Sequence, residues 1–129
     1  MKKTLLAIMM TLSVAQANDM DKFFRALGEV ESSNKATAYN AKENAIGIYQ
    51  IRKLYFIDSA QPFSHKDCYN PKLARKVCEA YFKRYEPRAY YLGDFETLAR
   101  LHNAGPAWAK KKHLTNKYWS KVKKALDSQ

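Results

Sequence analysis

Acid is scarce in this sequence: 12 Asp and Glu stand against 23 Lys and Arg, which leaves a formal charge of +11. An excess of that size draws a protein toward polyanions or anionic surfaces. Glycine and proline are also few, four of each in 129 residues, and there is no repeat, low-complexity tract or internal linker. The length suits one compact domain. No apolar run reaches the ~20 residues that span a bilayer. Cysteine is reduced to Cys68 and Cys78. On one straight helix those two would lie ~15 Å apart, beyond disulfide reach. A bridge therefore requires Cys68 to sit in a turn that folds back, and both outcomes stand. Neither cysteine has the companions of a metal site, and His65, His102 and His113 form no ligand spacing.

What is present begins with a leader. MKKTLLAIMMTLSVAQA has a Lys2-Lys3 start, an apolar stretch from Leu5 to Val14, and Ala15-Gln16-Ala17 as a small-residue cleavage signal. Those are the three parts of a bacterial secretory signal peptide, with cleavage expected after Ala17. The expected organisation is residues 1–17 as leader and 18–129 as one exported domain, periplasmic or secreted. Losing Lys2 and Lys3 and no acid leaves the mature chain at +9. Export makes the anionic cell envelope a better partner than nucleic acid, which rests on charge alone. The runs KKKH at 110–113 and KVKK at 121–124 read first as solvated faces and second as a docking patch.

The apolar pattern is helical. At about 100° per residue, Met20, Phe23, Phe24, Leu27 and Val30 fall within about 60° of one direction, and Asp21, Lys22, Arg25, Gly28 and Glu29 oppose them. Asn18 or Asp19 is available as a cap. Asn70-Pro71 reads as a cap and first helical residue, followed by a stripe of Ala74, Val77, Cys78, Tyr81, Phe82 and Tyr85 that stops before Pro87. Asp94 caps a further helix with Phe95, Leu98, Leu101 and His102 on one face and Gly105-Pro106 as its stop. A last helix runs from about Asn116 to Leu126. NAKENA is turn-like, and IGIYQI fits either a short strand or the start of a helix. The expected fold class is mainly α, with room for a small β-hairpin near residues 38–50.

Glu29 and Glu31 separate on the first helix. Glu31 lies about 40° from the centre of the apolar face, and Glu29 about 200° away among the charges. A carboxyl on an apolar stripe is expensive to bury ionised, and one that keeps its proton is what a general acid needs. The plain alternative is a helix-end glutamate in solvent.

VESSN, then AIGIYQI, then LARLHNAGP, then KYWSKV resemble segments of the lysozyme superfamily in order and spacing, from Val30 to Val122. The pattern E-S, G-x-x-Q-I, N-A-G-P resembles the lytic transglycosylases related to goose-type lysozyme. YQIRKLYFIDS, CEAYFKRY and YWSKV are more similar to invertebrate-type lysozymes. The resemblance implies that Glu31 is the catalytic acid and that Ser32 orients its carboxyl. It also implies that Gln50 and Asn103 offer amides to the glycan. Tyr49, Tyr55, Tyr118 and Trp119 have faces suited to sugar rings, and Tyr49 and Tyr118 also hold motif positions. Gly47 serves backbone geometry or close approach of sugar, Asp58 ends or caps a helix, and His102, on an apolar face, reads as structural. No metal or organic cofactor is implied.

Two departures stand out. Invertebrate-type lysozymes are rich in cysteine, and they place an aspartate seven residues before the glycine of G-x-x-Q-I; counted back from Gly47, that position holds Asn40. Glu43 is the nearest carboxylate to replace it. The expected activity is cleavage of the β-1,4 bond between N-acetylmuramic acid and N-acetylglucosamine in peptidoglycan. Glu31 with Glu43 favours hydrolysis, and Glu31 alone can act as base either on water, giving hydrolysis, or on the muramyl 6-hydroxyl, giving a 1,6-anhydro product. The alternative is an inactive peptidoglycan-binding or envelope assembly protein that keeps the fold.

Overall fold

The computed structural model describes residues 2–129, with side chains from residue 17 onward. The leader assigned to residues 1–17 therefore lies, but for Ala17, outside the residues whose side chains are described. Helix α1 (Lys2–Ser32) runs unbroken past Asn18 and Asp19, so neither caps it in this chain. Among the described residues no helix is long and apolar enough to cross a membrane.

The amphipathic stripe is real and broader than expected. Met20, Phe23, Phe24, Ala26 and Leu27 are all buried. Each large side chain contributes about 1.5–3 kcal/mol by leaving water. Phe23 stacks on Phe95 at 4.8 Å between ring centroids, and α1 packs along the last helix, α6 (Asn116–Asp127), through Val122 and Ala125. Gly28 is not on an open polar face. A Cβ there would meet the Asn34 amide oxygen at 2.3 Å and Ile48 Cγ1 at 3.1 Å, so the returning chain lies close against the helix end.

After α1 the chain enters a minimal hairpin, the small sheet expected near 38–50. Strand β1 (Tyr39–Asn40) pairs antiparallel with β2 (Ala45–Ile46), in the register Tyr39 to Ile46 and Asn40 to Ala45. Asn40 holds the intervening loop, since its Oδ1 accepts from the backbone of Lys42 at 3.1 Å and Glu43 at 3.4 Å. Gly47 follows at φ +80°, where a Cβ would stand 2.2 Å from the Cys68 carbonyl. Its role is therefore to let two backbones meet.

Helix α2 (Lys53–Asp58) ends on Asp58 as its sequence suggests. A 3-10 turn (His65–Tyr69) precedes α3 (Pro71–Tyr85), whose Asn70 cap accepts from Lys72 and Leu73. Cys68 lies in that turn and Cys78 on α3; both are buried and both are free thiols. Burial pushes the Cys68 thiol up to about 11 and raises Cys78 further, so neither is a ready nucleophile. Pro87 both follows α3 and opens α4 (Pro87–Leu92). Helix α5 (Phe95–Ala104) is capped by Asp94, whose side chain accepts from Thr97, and it ends at Gly105. A second 3-10 segment (Trp108–Thr115) leads into α6 and is held by Arg100, which donates to Lys112 O, Thr115 Oγ1 and Asn116 Oδ1.

Candidate active site

Glu31 occupies the last turn of α1, just before Ser33 and Asn34 turn the chain aside at φ of 56° and 57°. Its side chain is 20% exposed, at the floor of a cleft of about 180 Å³. The hairpin contributes Asn40 and Glu43 to that cleft, and the following turn contributes Gln50 and Arg52. Tyr55 of α2 and His102 and Asn103 of α5 complete it. The walls are almost wholly polar, as suits a ligand that presents hydroxyls and amides.

One donor and one close neighbour meet the same oxygen of Glu31. The Tyr118 hydroxyl donates to Oε2 at 2.8 Å, and His102 Nε2 stands 3.3 Å from the same atom. His102 Nε2 is also 3.0 Å from the Tyr49 carbonyl, which can only accept. That ring nitrogen therefore carries a proton, and Tyr55 Oη sits 2.8 Å from the other nitrogen, Nδ1. Burial raises the phenols of Tyr55 and Tyr118 well above their ordinary value, and the Glu31 carboxylate adds to the effect on Tyr118. Both phenols keep their protons through the neutral range. The carboxyl on the apolar stripe thus meets the Tyr118 hydroxyl and the His102 ring rather than a greasy pocket.

Several expected roles change. Ser32 does not orient the carboxyl: its hydroxyl lies 2.7 Å from the Ile48 carbonyl and 3.2 Å from that of Gly28, and it accepts from the Lys35 amide. It ties the helix end to the turn after the hairpin. Tyr49 offers no face to sugar, because it is 7% exposed and packs edge-on against Phe24 at 5.2 Å. Its carbonyl, not its ring, serves the site. Tyr118 directs its hydroxyl to Glu31 instead of to a ligand. Gln50 does line the cleft, held at φ 53°, and its Nε2 donates to Gly47 O at 2.9 Å, which leaves its amide oxygen as the cleft-side acceptor. Trp119 is partly buried against the core, and Tyr55 is buried and stacked on Tyr81 at 3.7 Å.

Arg52 is the cation of the cleft, and its guanidinium reaches the Asn103 carbonyl at 3.4 Å. Its one signal in the sequence is that it follows the Gln50-Ile51 pair. A roomier hollow of about 370 Å³ lies near Met20, at the other end of the described part of α1. There Arg75 is paired with Asp21 at 2.6 Å and Glu79 at 3.4 Å, and Glu79 also accepts from Tyr90. That charge network is internally satisfied, and the Glu31 cleft is the better candidate for chemistry.

Residues 20–125 match the Destabilase family. The chain belongs to that family. Its similarity to curated proteins agrees: it is 29% identical over 102 residues to Lysozyme 1 of Crassostrea virginica, covering 76% of this chain and 55% of that protein. It is 32% identical over 102 residues to Lysozyme of Magallana gigas, covering 76% and 74%, and 36% identical over 80 residues to Lysozyme of Meretrix lusoria, covering 60% and 65%. The chain thus spans about half the length of the first of these relatives. The resemblance to invertebrate-type lysozymes and the mainly α fold both hold. In this Destabilase-family chain the matched segment takes in every residue that lines the Glu31 cleft.

Proposed function

We propose that this Destabilase-family protein is an exported muramidase that hydrolyses the β-1,4 bond between N-acetylmuramic acid and N-acetylglucosamine. The observation that carries the reading is Glu31 in a polar cleft, with the Tyr118 hydroxyl donating to one of its oxygens and Glu43 lining the same cleft. In the proposed step Glu31 gives its proton to the glycosidic oxygen. The bond from C1 of the muramic acid residue breaks, its electron pair stays with the departing 4-oxygen, and positive charge spreads over C1 and the ring oxygen. Water then adds to C1 and passes a proton to Glu43, leaving a reducing end.

Gln50 and Asn103 are the amides set to meet N-acetyl and hydroxyl groups, and Arg52 is placed for a substrate carboxylate. The excess of Lys and Arg favours adsorption onto an anionic wall. Asn40, where the resemblance expects aspartate, supports a second reading. In it Glu31 works alone and takes the muramyl 6-hydroxyl proton, closing a 1,6-anhydro ring. Glu31→Gln separates catalysis from binding. The variant is expected to release no muropeptides from purified sacculi while still sedimenting with them, and activity that survives the change removes Glu31 as the acid.

A further inference from the structure

A carboxyl group can carry its proton on either oxygen, and a general acid works only if the proton is on the one that faces the leaving group. In Glu31 the two oxygens are not equivalent. The Tyr118 hydroxyl donates to Oε2, with the His102 ring 3.3 Å from that same oxygen, and among the described residues no protein hydrogen bond falls on Oε1. The histidine ring is fixed beside that oxygen, its N–H on the Tyr49 carbonyl at 3.0 Å and its Nδ1 facing Tyr55 Oη at 2.8 Å. A proton placed on Oε2 would lose the bond from Tyr118 as that bond now stands.

We propose that Tyr118 is a positioning residue whose hydroxyl occupies Oε2 of Glu31 and so assigns Oε1 as the oxygen that carries and delivers the catalytic proton. The proposal rests on Glu31 being the acid, and it adds a residue from α6, 87 positions away in sequence. The architecture supports such a role. Val122 and Ala125 anchor α6 against the core, α6 packs directly along α1, and Tyr118 lies on the α6 face turned toward the end of α1. The other charged groups of the cleft are Glu43 on the hairpin loop and Arg52, and no hydrogen bond links either to Glu31 among the described residues.

Positioning of this kind acts on turnover more than on binding. Tyr118→Phe removes one oxygen and keeps the ring, so the fold is retained and can be checked by its urea midpoint. On a soluble oligosaccharide of alternating N-acetylglucosamine and N-acetylmuramic acid, kcat is expected to fall tenfold or more with KM within about twofold. In the Glu31→Gln background, adding Tyr118→Phe is expected to leave oligosaccharide affinity unchanged. A Tyr118→Phe enzyme with undiminished kcat overturns the proposal while leaving the muramidase reading intact. A rise in KM alone, or lost affinity in the double variant, also overturns it, because Tyr118 would then be a sugar contact. A wild-type protein that cleaves no glycan sinks the muramidase reading and this proposal with it.

Discussion

Gly47→Ala should destabilise the protein through two causes that a second substitution can separate. The first is conformational: at φ +80° an L side chain costs roughly 1–2 kcal/mol. The second is collision, because the new methyl would stand 2.2 Å from the Cys68 carbonyl and 3.1 Å from its carbon. Those are backbone atoms that no rotamer change can move, and relief of such overpacking costs about 1–3 kcal/mol. Together they come to roughly 2–5 kcal/mol, a large share of the 5–15 kcal/mol that usually separates folded from unfolded chains. Gly93→Ala supplies the comparison, with φ +70° but nothing nearer its Cβ than Phe95 at 3.7 Å. It should cost only the conformational part, roughly 1 kcal/mol. Urea unfolding of the two variants beside wild type gives both numbers. Equal losses would refute the reasoning, since the close meeting of the hairpin turn with the 65–69 segment would then not be what demands glycine.

Ser32→Ala should lower stability by about 1–2 kcal/mol, because the Ile48 carbonyl loses its 2.7 Å partner. Activity per folded molecule should persist, and a loss of kcat without loss of stability would restore Ser32 to the chemistry. Arg100→Lys should cost about 2 kcal/mol in a thermal melt, since an ammonium cannot hold Glu96, as Nε and Nη2 do, and at the same time meet Lys112 O, Thr115 and Asn116, as Nη1 does. Tyr49 and Tyr81 are pushed by burial to about 12, and Tyr55 and Tyr118 are raised as well. Their native values lie above those of the unfolded chain, so their contribution is complete below about pH 10 and is lost as pH climbs toward the native values. Urea midpoints should therefore fall from about pH 10 upward, and a flat profile there would contradict the burial of these phenols. Intact mass of the exported protein should begin at Asn18, and retention of residues 1–17 would remove the leader assignment.

The helices that could be read from the sequence are those with a local punctuation mark. Asn70-Pro71 opens α3, and Asp94 and Gly105 bracket α5, because caps and stops act within one turn. Helix α2 has six residues and no side-chain cap, too little for a period to show. Helix α4 was hidden because Pro87 reads equally as a stop and as a first helical residue. The 108–115 segment has three successive lysines and no apolar period; Arg100, from another helix, holds it in place.

The site divides in the same way. The position of Glu31 followed from helical periodicity, since burial along one helix is a local property. The polar neighbours of its carboxyl did not, because Tyr118 and His102 come from α6 and α5 and meet it only once the core has formed. Tyr49 shows the converse. Gln50 beside it lines the cleft and, at φ 53°, turns the chain there, while the Tyr49 ring enters the core beside Phe24.

The most direct test of the muramidase reading is mass spectrometry of the soluble products after the mature protein is incubated with purified sacculi. Hydrolysis by Glu31 with Glu43 predicts muropeptides ending in reducing N-acetylmuramic acid. Products lighter by one water, with 1,6-anhydro ends, would contradict the hydrolytic step, and an absence of muropeptides would contradict the activity itself.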